Sequence, residues 1–443
     1  MSAQPVHAVE IAVRDDLRRS RLTVFFRLLL AIPHIIWVIL WSIAALVVAI
    51  LNWFATLVVG RPPSGLHGFL AAFVRYQTHL GAYLSLAANP YPGFVGEQGS
   101  YPVDVRVPGP ERQSRWKVAF RLVLAIPALI IVGVLVGAPG GGASTEDQNV
   151  AYQSAGGALL AVAFLGWFAS LVLGRMPHGL RNFAVFGLRY NAEAASYLFL
   201  LTGRYPNSDP LLPAEAGAPP ERPIRIVVED DLRRSRLTVF FRLLLWLPHL
   251  VWLVLWSVAV FLAALIAWLV ALVIGRVPNG LHRFLAAYVR YAAHVSAYLL
   301  LGANPFPGFT GTAGSYPVDI EIDPPAPQRR LVTFFRLFLG IPVILLEGAL
   351  GTLAFVAAFL GWFASLVLGR MPLGLRNLVA WSVRYSAQGT GYLLLVTDRY
   401  PYSGPPVEEP EPEVDRPEPG PVPGVESREP GPEAEPEKPP FGT

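Results

Sequence analysis

Four arginines stand within otherwise apolar runs, Arg27, Arg121, Arg242 and Arg336, and each is followed six residues later by a proline, Pro33, Pro127, Pro248 or Pro342. A guanidinium about one turn inside a membrane edge can snorkel to the headgroups. It can also hold a lipid phosphate through two parallel hydrogen bonds. Two further arginine sets recur with the first. One lies in "GRxPxGL", at Arg61, Arg175, Arg276 and Arg370; the other lies in "RY", at Arg75, Arg189, Arg290 and Arg384. These twelve residues are the candidate contacts for anionic headgroups. An ionisable residue among apolar neighbours is a functional candidate in its own right. That singles out Glu347 as a conceivable proton relay, yet the three related runs place no acid at the matching position.

Other chemistry finds less support. His34 and His249 follow two of the prolines, and His79 and His294 recur further on, without the HxxxH or HExxH spacing that a zinc site uses. The chain has no cysteine, which excludes disulfides and thiolate chemistry. "APGGGAS" lacks the GK[ST] of a phosphate loop, no GxSxG elbow occurs, and Asp15–Asp16 and Asp230–Asp231 read as helix N-caps answered by following arginines. The expectation is a protein that is not an enzyme, with no catalytic residue, no cofactor, no metal and no nucleic-acid partner.

The elements that carry these residues are apolar. Of 443 residues 53% are hydrophobic and 15% charged, against about 25% charged in soluble domains. The longest run, Leu22 to Gly60, far exceeds the roughly 18 residues that argue for membrane insertion. It is also longer than a signal-peptide core of about 7–15 residues and follows a polar, mixed-charge start, so no cleaved signal is expected. Lys117 and Lys438 are the only lysines, and arginine carries the remaining positive charge. From Gly404 the chain turns Pro/Glu-rich with a net charge of −8, leaving +12 on the rest. Such a segment cannot bury enough apolar surface to fold.

Internal repetition organises the whole. "DDLRRSRLTVFFRLLL" occurs at Asp15–Leu30 and again at Asp230–Leu245, and "AFLGWFASLVLGRMP" at Ala163–Pro177 and Ala358–Pro372. The order is A-B-A′-B′, with A at 1–94, B at 95–207, A′ at 208–309, B′ at 310–402 and an acidic tail at 403–443, expected to be disordered. Repeat B alone carries a polar insert, 137–157, midway along its apolar run. Insertions are tolerated at turns, so each run reads as a helical hairpin, at 22–60, 118–174, 237–275 and 331–369, turning near Ser42, Ser257 and Gly351–Thr352 in the uninterrupted copies. Arms of about 18 residues reach about 27 Å, barely a hydrocarbon core of about 30 Å. The fold class expected is an all-α polytopic membrane protein of four pseudo-repeated transmembrane hairpins, about eight helices. The recurring Trp53, Trp167, Trp268 and Trp362 would pack one arm against the other.

Arginines flank every hairpin, so the positive-inside rule places both ends in the cytoplasm of a bacterial cell, the protein sitting multi-pass in the inner membrane with N-terminus and tail cytoplasmic. After each run an amphipathic helix is expected on the interface, at 64–88, 178–202, 279–303 and 373–397; the rival is a third crossing. In A, Leu66, Phe69, Leu70, Phe73, Tyr76, Leu80 and Tyr83 share one face, with Arg75, Thr78 and His79 opposite. "VEIAV", "YPVDVRV", "IRIVV" and "YPVDIEI" alternate as strands do and could form one small sheet tying the repeats together.

"FFRLFLGIP … GWFASLVLGRMPLGL … VRYSAQGTGYLLLVTDRYPYSG" resembles the bacterial DUF4389 family of uncharacterised membrane proteins. The family's usual ending, "AYLLLLTDRYPPF", looks like Arg384–Tyr402, with Tyr385 in place of the usual Trp. Repeat B is similar except for Gly203, and the A copies depart further through "NPYPGF" and "NPFPGF". The resemblance spans nearly the whole chain outside the tail and implies a membrane topology but no activity. The functional expectation is a membrane scaffold or organising protein whose partners are membrane lipids and, through the acidic tail, a cytoplasmic protein. The alternative is a transporter or channel with a pathway between repeats.

Overall fold

The computed structural model describes residues 7–137 and 157–408; most of the polar loop of B and nearly all of the acidic tail fall outside the described residues. Each repeat places the same helical elements in the same order, with the long one divided in B. A five-residue lead-in helix comes first, Arg21–Phe25, Arg115–Ala119, Arg236–Phe240 or Arg330–Phe334. A long apolar helix follows and then an inner helix of 21 residues, Ser64–Leu84, His178–Leu198, Asn279–Leu299 or Leu373–Leu393.

The long helices are single, not hairpins. Arg27–Val59, Arg242–Ile274 and Arg336–Leu368 each run 33 residues without a break, about 50 Å at 1.5 Å per residue. All three are long and apolar enough to cross a membrane. The expected turns fail for a local reason: a hydroxyl inside an apolar helix need not end it, because it can bond back to the preceding turn. Ser42 donates to the Ile39 carbonyl at 2.7 Å, Ser257 to Val254 at 2.8 Å and Thr352 to Gly348 at 2.9 Å. Each helix ends at a glycine in the left-handed region, Gly60, Gly275 or Gly369, where the missing Cβ removes the steric cost.

Repeat B has the same helix cut in two. Arg121–Val136 has 16 residues and Gly157–Leu173 has 17, together the 33 of the other copies. The chain leaves at Gly137 and returns beside it: a Cβ built on Gly157 would lie 2.6 Å from the Gly137 amide nitrogen and 2.7 Å from the Leu135 carbonyl. The two halves of the B helix therefore meet where Gly137 and Gly157 come together.

The strands Glu10–Val13 (β1), Val103–Arg106 (β2), Ile224–Val228 (β3) and Val318–Ile322 (β4) form where period-2 alternation places them. They make two separate antiparallel pairs in place of one shared sheet, β1 with β2 in the register Ile11 to Val105, and β3 with β4 in the register Ile226 to Ile320. Both sheets pack on inner helices. The inner helices are not surface-lying: in A, Phe73 and Tyr76 on one face and Thr78 and His79 on another are all buried. The polar face that sequence assigns to headgroups turns toward β2 and the loops.

Repeats pair by exchange. The lead-in helix of A docks on the end of the long helix of B, through Arg21 to the Val172 carbonyl (3.1 Å) and Trp167 to the Val24 carbonyl (3.1 Å). The lead-in of B docks on A in return, through Arg115 to Val58 (2.8 Å) and Trp53 to Val118 (3.0 Å). A′ and B′ repeat the exchange through Arg236 to Val367, Trp362 to Val239, Arg330 to Val273 and Trp268 to Thr333. The tryptophans thus join repeats, where sequence placed them between arms of one hairpin. The two pairs meet at B and B′, where the B′ long helix packs on both halves of the B helix and Trp381 lies against Phe183 and Phe186.

Deleting residues 137–156 joins the two halves of the B helix into the 33-residue form of its relatives. The shortened protein is expected to unfold within a few degrees of the parent in detergent; a hairpin would lose its turn and collapse in the same thermal melt.

Candidate membrane-contact site

The twelve arginines divide into three groups by what surrounds them. The first group is withdrawn from lipid. Arg27, Arg121, Arg242 and Arg336 are all buried, the most exposed at 3%. The Arg27 guanidinium lies 4.3 Å from the centroid of the Tyr83 ring and donates to the carbonyls of Tyr83 and Ala88. Arg242 repeats this with Tyr298 and Ala303, and Arg336 with Tyr392 and Thr397. Arg121 lies 3.9 Å from the Tyr197 ring centroid. Position in an apolar run shows that a charge sits near a membrane edge; it does not show the helix end across from it.

That helix end has an uncommon conformation. Each inner helix is followed by a leucine in the left-handed region, Leu86, Leu200, Leu301 or Leu395, with φ of 58, 61, 62 and 60°. A non-glycine residue there is strained, and all four leucines are buried. The residue eight positions before each buried arginine binds the strained leucine's carbonyl: Arg19 to Leu86 (2.7 Å), Gln113 to Leu200 (2.6 Å), Arg234 to Leu301 (2.9 Å) and Gln328 to Leu395 (3.2 Å). Gln113 and Gln328 also accept from Arg121 and Arg336. Arg19 and Arg234 pair with Asp15 and Asp230 at 2.7 Å. The aspartates bond the amides of Leu17 and Leu232 and cap no helix, since the residues before the lead-in helices are Ser20 and Ser235. Sequence reading missed this clasp, although the constant spacing of eight between Arg19, Gln113, Arg234 or Gln328 and the next arginine was open to view.

The second group anchors loops. Arg189 donates to the Asp209 carbonyl (2.6 Å), Arg75 to Gly96 (2.9 Å), Arg290 to Gly311 (3.1 Å) and Arg384 to Gly404. Burial pulls Arg384 down to about 10, so it remains charged at neutral pH. Four residues on, each inner helix holds the segment beyond it: His79 bonds Asp104 (2.7 Å), His294 bonds Asp319 (2.6 Å), Glu193 accepts from the Asn207 amide (2.7 Å) and Gln388 accepts from the Tyr402 amide (2.9 Å). Burial acts to raise the Asp104 carboxyl, but the His79 hydrogen bond and the Gly99 and Val105 amides outweigh it and hold the group below the usual carboxylate range. His34 and His249 meet the hydroxyls of Tyr76 and Tyr291. Asn52 donates to Phe199, and Glu347 accepts from Ser386. Among the described residues no group of three His, Cys, Asp or Glu side chains is placed to hold a metal.

Only the third group faces outward. Arg61, Arg175, Arg276 and Arg370 are exposed at the ends of the long helices. Each lies beside a docked lead-in helix whose apolar side chains stand free, Leu22 at 71% and Trp116 at 76% exposure among them. From these corners an apolar surface extends along the full length of every long helix.

Four segments, 21–96, 148–208, 236–310 and 330–403, match the model of a single family, a domain of unknown function, DUF4389. No curated protein and no solved structure matches the chain.

Arg336→Met removes the donor to four acceptors, the Tyr392 and Thr397 carbonyls, Gln328 and Asp398, and uncovers a tyrosine face; it is expected to cost about 3 kcal/mol in detergent unfolding. Arg336→Lys does not restore the loss, because one ammonium cannot stack and bridge two carbonyls together. Arg370→Ala leaves the same melt unchanged. Asp104→Asn tests the depressed carboxylate: its contribution is present above the ordinary value of about 4 and is lost as pH falls through the lower folded value. The stability gap between parent and variant should therefore be widest near neutral pH and narrow in acid.

Proposed function

Because the chain belongs to the DUF4389 family across four tandem copies, we propose that it works as a non-enzymatic membrane-organising scaffold, its long helices embedded in one leaflet of the bilayer. The observation that carries this reading is the place of the polar insert at the midpoint of the B long helix. A straight 50 Å helix standing across a hydrocarbon core of about 30 Å would hold that midpoint near the centre, where "STEDQN" would lack water. A helix lying in the plane puts its start, midpoint and end at one depth. Ser42, Ser257 and Thr352 occupy the same midpoint in the other copies, and arginines mark both ends.

The position of the sheets supports the same reading. Glu10, Arg106 and Glu321 lie exposed on the outward faces of the paired strands, with Arg225 half-buried beside Glu321, while the sheets rest on the inner helices and the long helices expose hydrocarbon. Arg61, Arg175, Arg276 and Arg370 then meet anionic headgroups at the rim, on the cytoplasmic side of the bacterial inner membrane by the positive-inside rule. Four rods each about 50 Å long in one leaflet expand it against the other, which is the physical act of a membrane-organising protein. The acidic tail supplies a site for a cytoplasmic partner. Removing residues 409–443 should abolish a specific co-purifying partner and leave membrane attachment intact.

Single cysteines in the cysteine-free chain decide the topology. Ser144→Cys and Ser257→Cys should both resist a membrane-impermeant maleimide applied to intact cells. Ser144→Cys should label once the cytoplasmic face is opened, with Ser257→Cys still protected. Labelling of Ser144→Cys from outside would mean that the helices cross and would end the one-leaflet reading.

A further inference from the structure

Between B and B′ lies a cavity of about 790 Å³, within the range of ligand sites of roughly 300–1,000 Å³. One wall comes from the B long helix at Pro127 and Ile131, the other from the B′ long helix at Leu360, Phe363 and Ala364. Ile131 and Tyr190 are buried, whereas Phe363 at 51% and Leu373 at 48% stand exposed. The mouth is thus continuous with the apolar surface of the long helices. One end is different in kind: Asn207, Ser208 and Asp209 line it with polar groups. Asp209 is held by the Asn377 amide at 2.8 Å, so this end is fixed by both repeats. The pseudo-equivalent position of Leu373 in B is His178, which is tied to the Ala216 carbonyl at 2.8 Å.

We infer that this cavity is a binding site for one hydrocarbon chain of a bilayer phospholipid, which enters sideways from the membrane with its polar part at Asn207 and Ser208. The two long walls offer apolar contact along their length, and the polar groups, the Asp209 carboxylate among them, are confined to one end. The open side faces lipid, so the occupant need not leave the bilayer to reach it. The site joins the two halves of the protein, and an occupied cavity braces the crossing of the B and B′ long helices. The inference rests on the long helices lying in lipid and holds whether or not they cross it.

The test uses the full chain in vesicles of phosphatidylcholine and phosphatidylglycerol containing a phosphatidylcholine with a diazirine in its acyl chain. After irradiation, adducts are mapped by mass spectrometry. The expected result is a several-fold excess of adducts at Ile131, Leu360, Phe363 and Ala364 over the exposed Ile43, Leu46, Val47, Ile50 and Leu51 of the A long helix. The excess should saturate as the labelled lipid is increased, while the A-helix signal rises in proportion. Ala364→Trp, and Ile131→Phe from the opposite wall, should each remove the excess and spare the A-helix signal. Equal labelling of cavity and A helix, a cavity signal that never saturates, or an excess that survives both fillings overturns the inference. Absence of adducts from the A helix as well would instead overturn the membrane embedding on which it rests.

Discussion

A strained turn held by buried guanidinium is the interaction on which this fold depends. Each inner helix ends in a left-handed leucine whose amide bonds the tyrosine carbonyl three residues back. Buried carbonyls short of donors are costly, and in A, A′ and B′ the arginine at the start of the long helix donates to two of them. In all four copies the guanidinium lies over the tyrosine ring three residues before the leucine; in A, A′ and B′ it also bonds carbonyls, and in B Arg121 bonds Gln113 instead. Because that arginine begins the long helix, the clasp also sets where this helix meets the end of the inner one. Remove it and the two helices of a repeat lose their common register.

The clasp works within a repeat; between repeats the joint is the exchanged lead-in helix. Its docking residues bond the last carbonyls of the partner's long helix, which no helix can satisfy for itself. A single repeat would leave those carbonyls and its own lead-in unpartnered. The natural unit is therefore a pair, A with B and A′ with B′. This explains why the sequence repeats at the level of pairs, with "DDLRRSRLTVFFRLLL" marking both A copies and "AFLGWFASLVLGRMP" both B copies. The first motif contains the lead-in helix and the second contains its dock.

Much of this was legible and some was not, for identifiable reasons. Repeat number, apolar runs, closing glycines and the four strand segments follow from local pattern, and the structure bears them out. The hairpins do not follow, because an insert is compatible with a turn or with a helix that closes again behind it, and hydropathy is blind to the difference. The fate of the arginines was hidden for another reason. A snorkelling arginine and a clasping one have the same sequence neighbours; only the turn opposite, more than 50 residues away, tells them apart. Four copies helped even so, since Gln113 and Gln328 stand where Arg19 and Arg234 do, and a position that alternates between Arg and Gln asks for a donor more than for a charge.

That substitution also bears on the membrane. In the A copies Arg19 and Arg234 bring their own counter-charges, Asp15 and Asp230; in the B copies a neutral glutamine does the same work with no ion pair. Burying a paired charge gains little over a neutral group that makes the same hydrogen bond, so both solutions persist. What every copy keeps outside is the opposite combination: the GR arginine in the open, beside a lead-in helix that presents hydrocarbon. Two of the three recurring arginines of each repeat are committed to partners within the protein, and one stands at the rim of the apolar surface. A protein whose four repeats sort their arginines in this way uses its buried guanidinium groups to hold its own shape and leaves one per repeat at the edge of an exposed apolar surface.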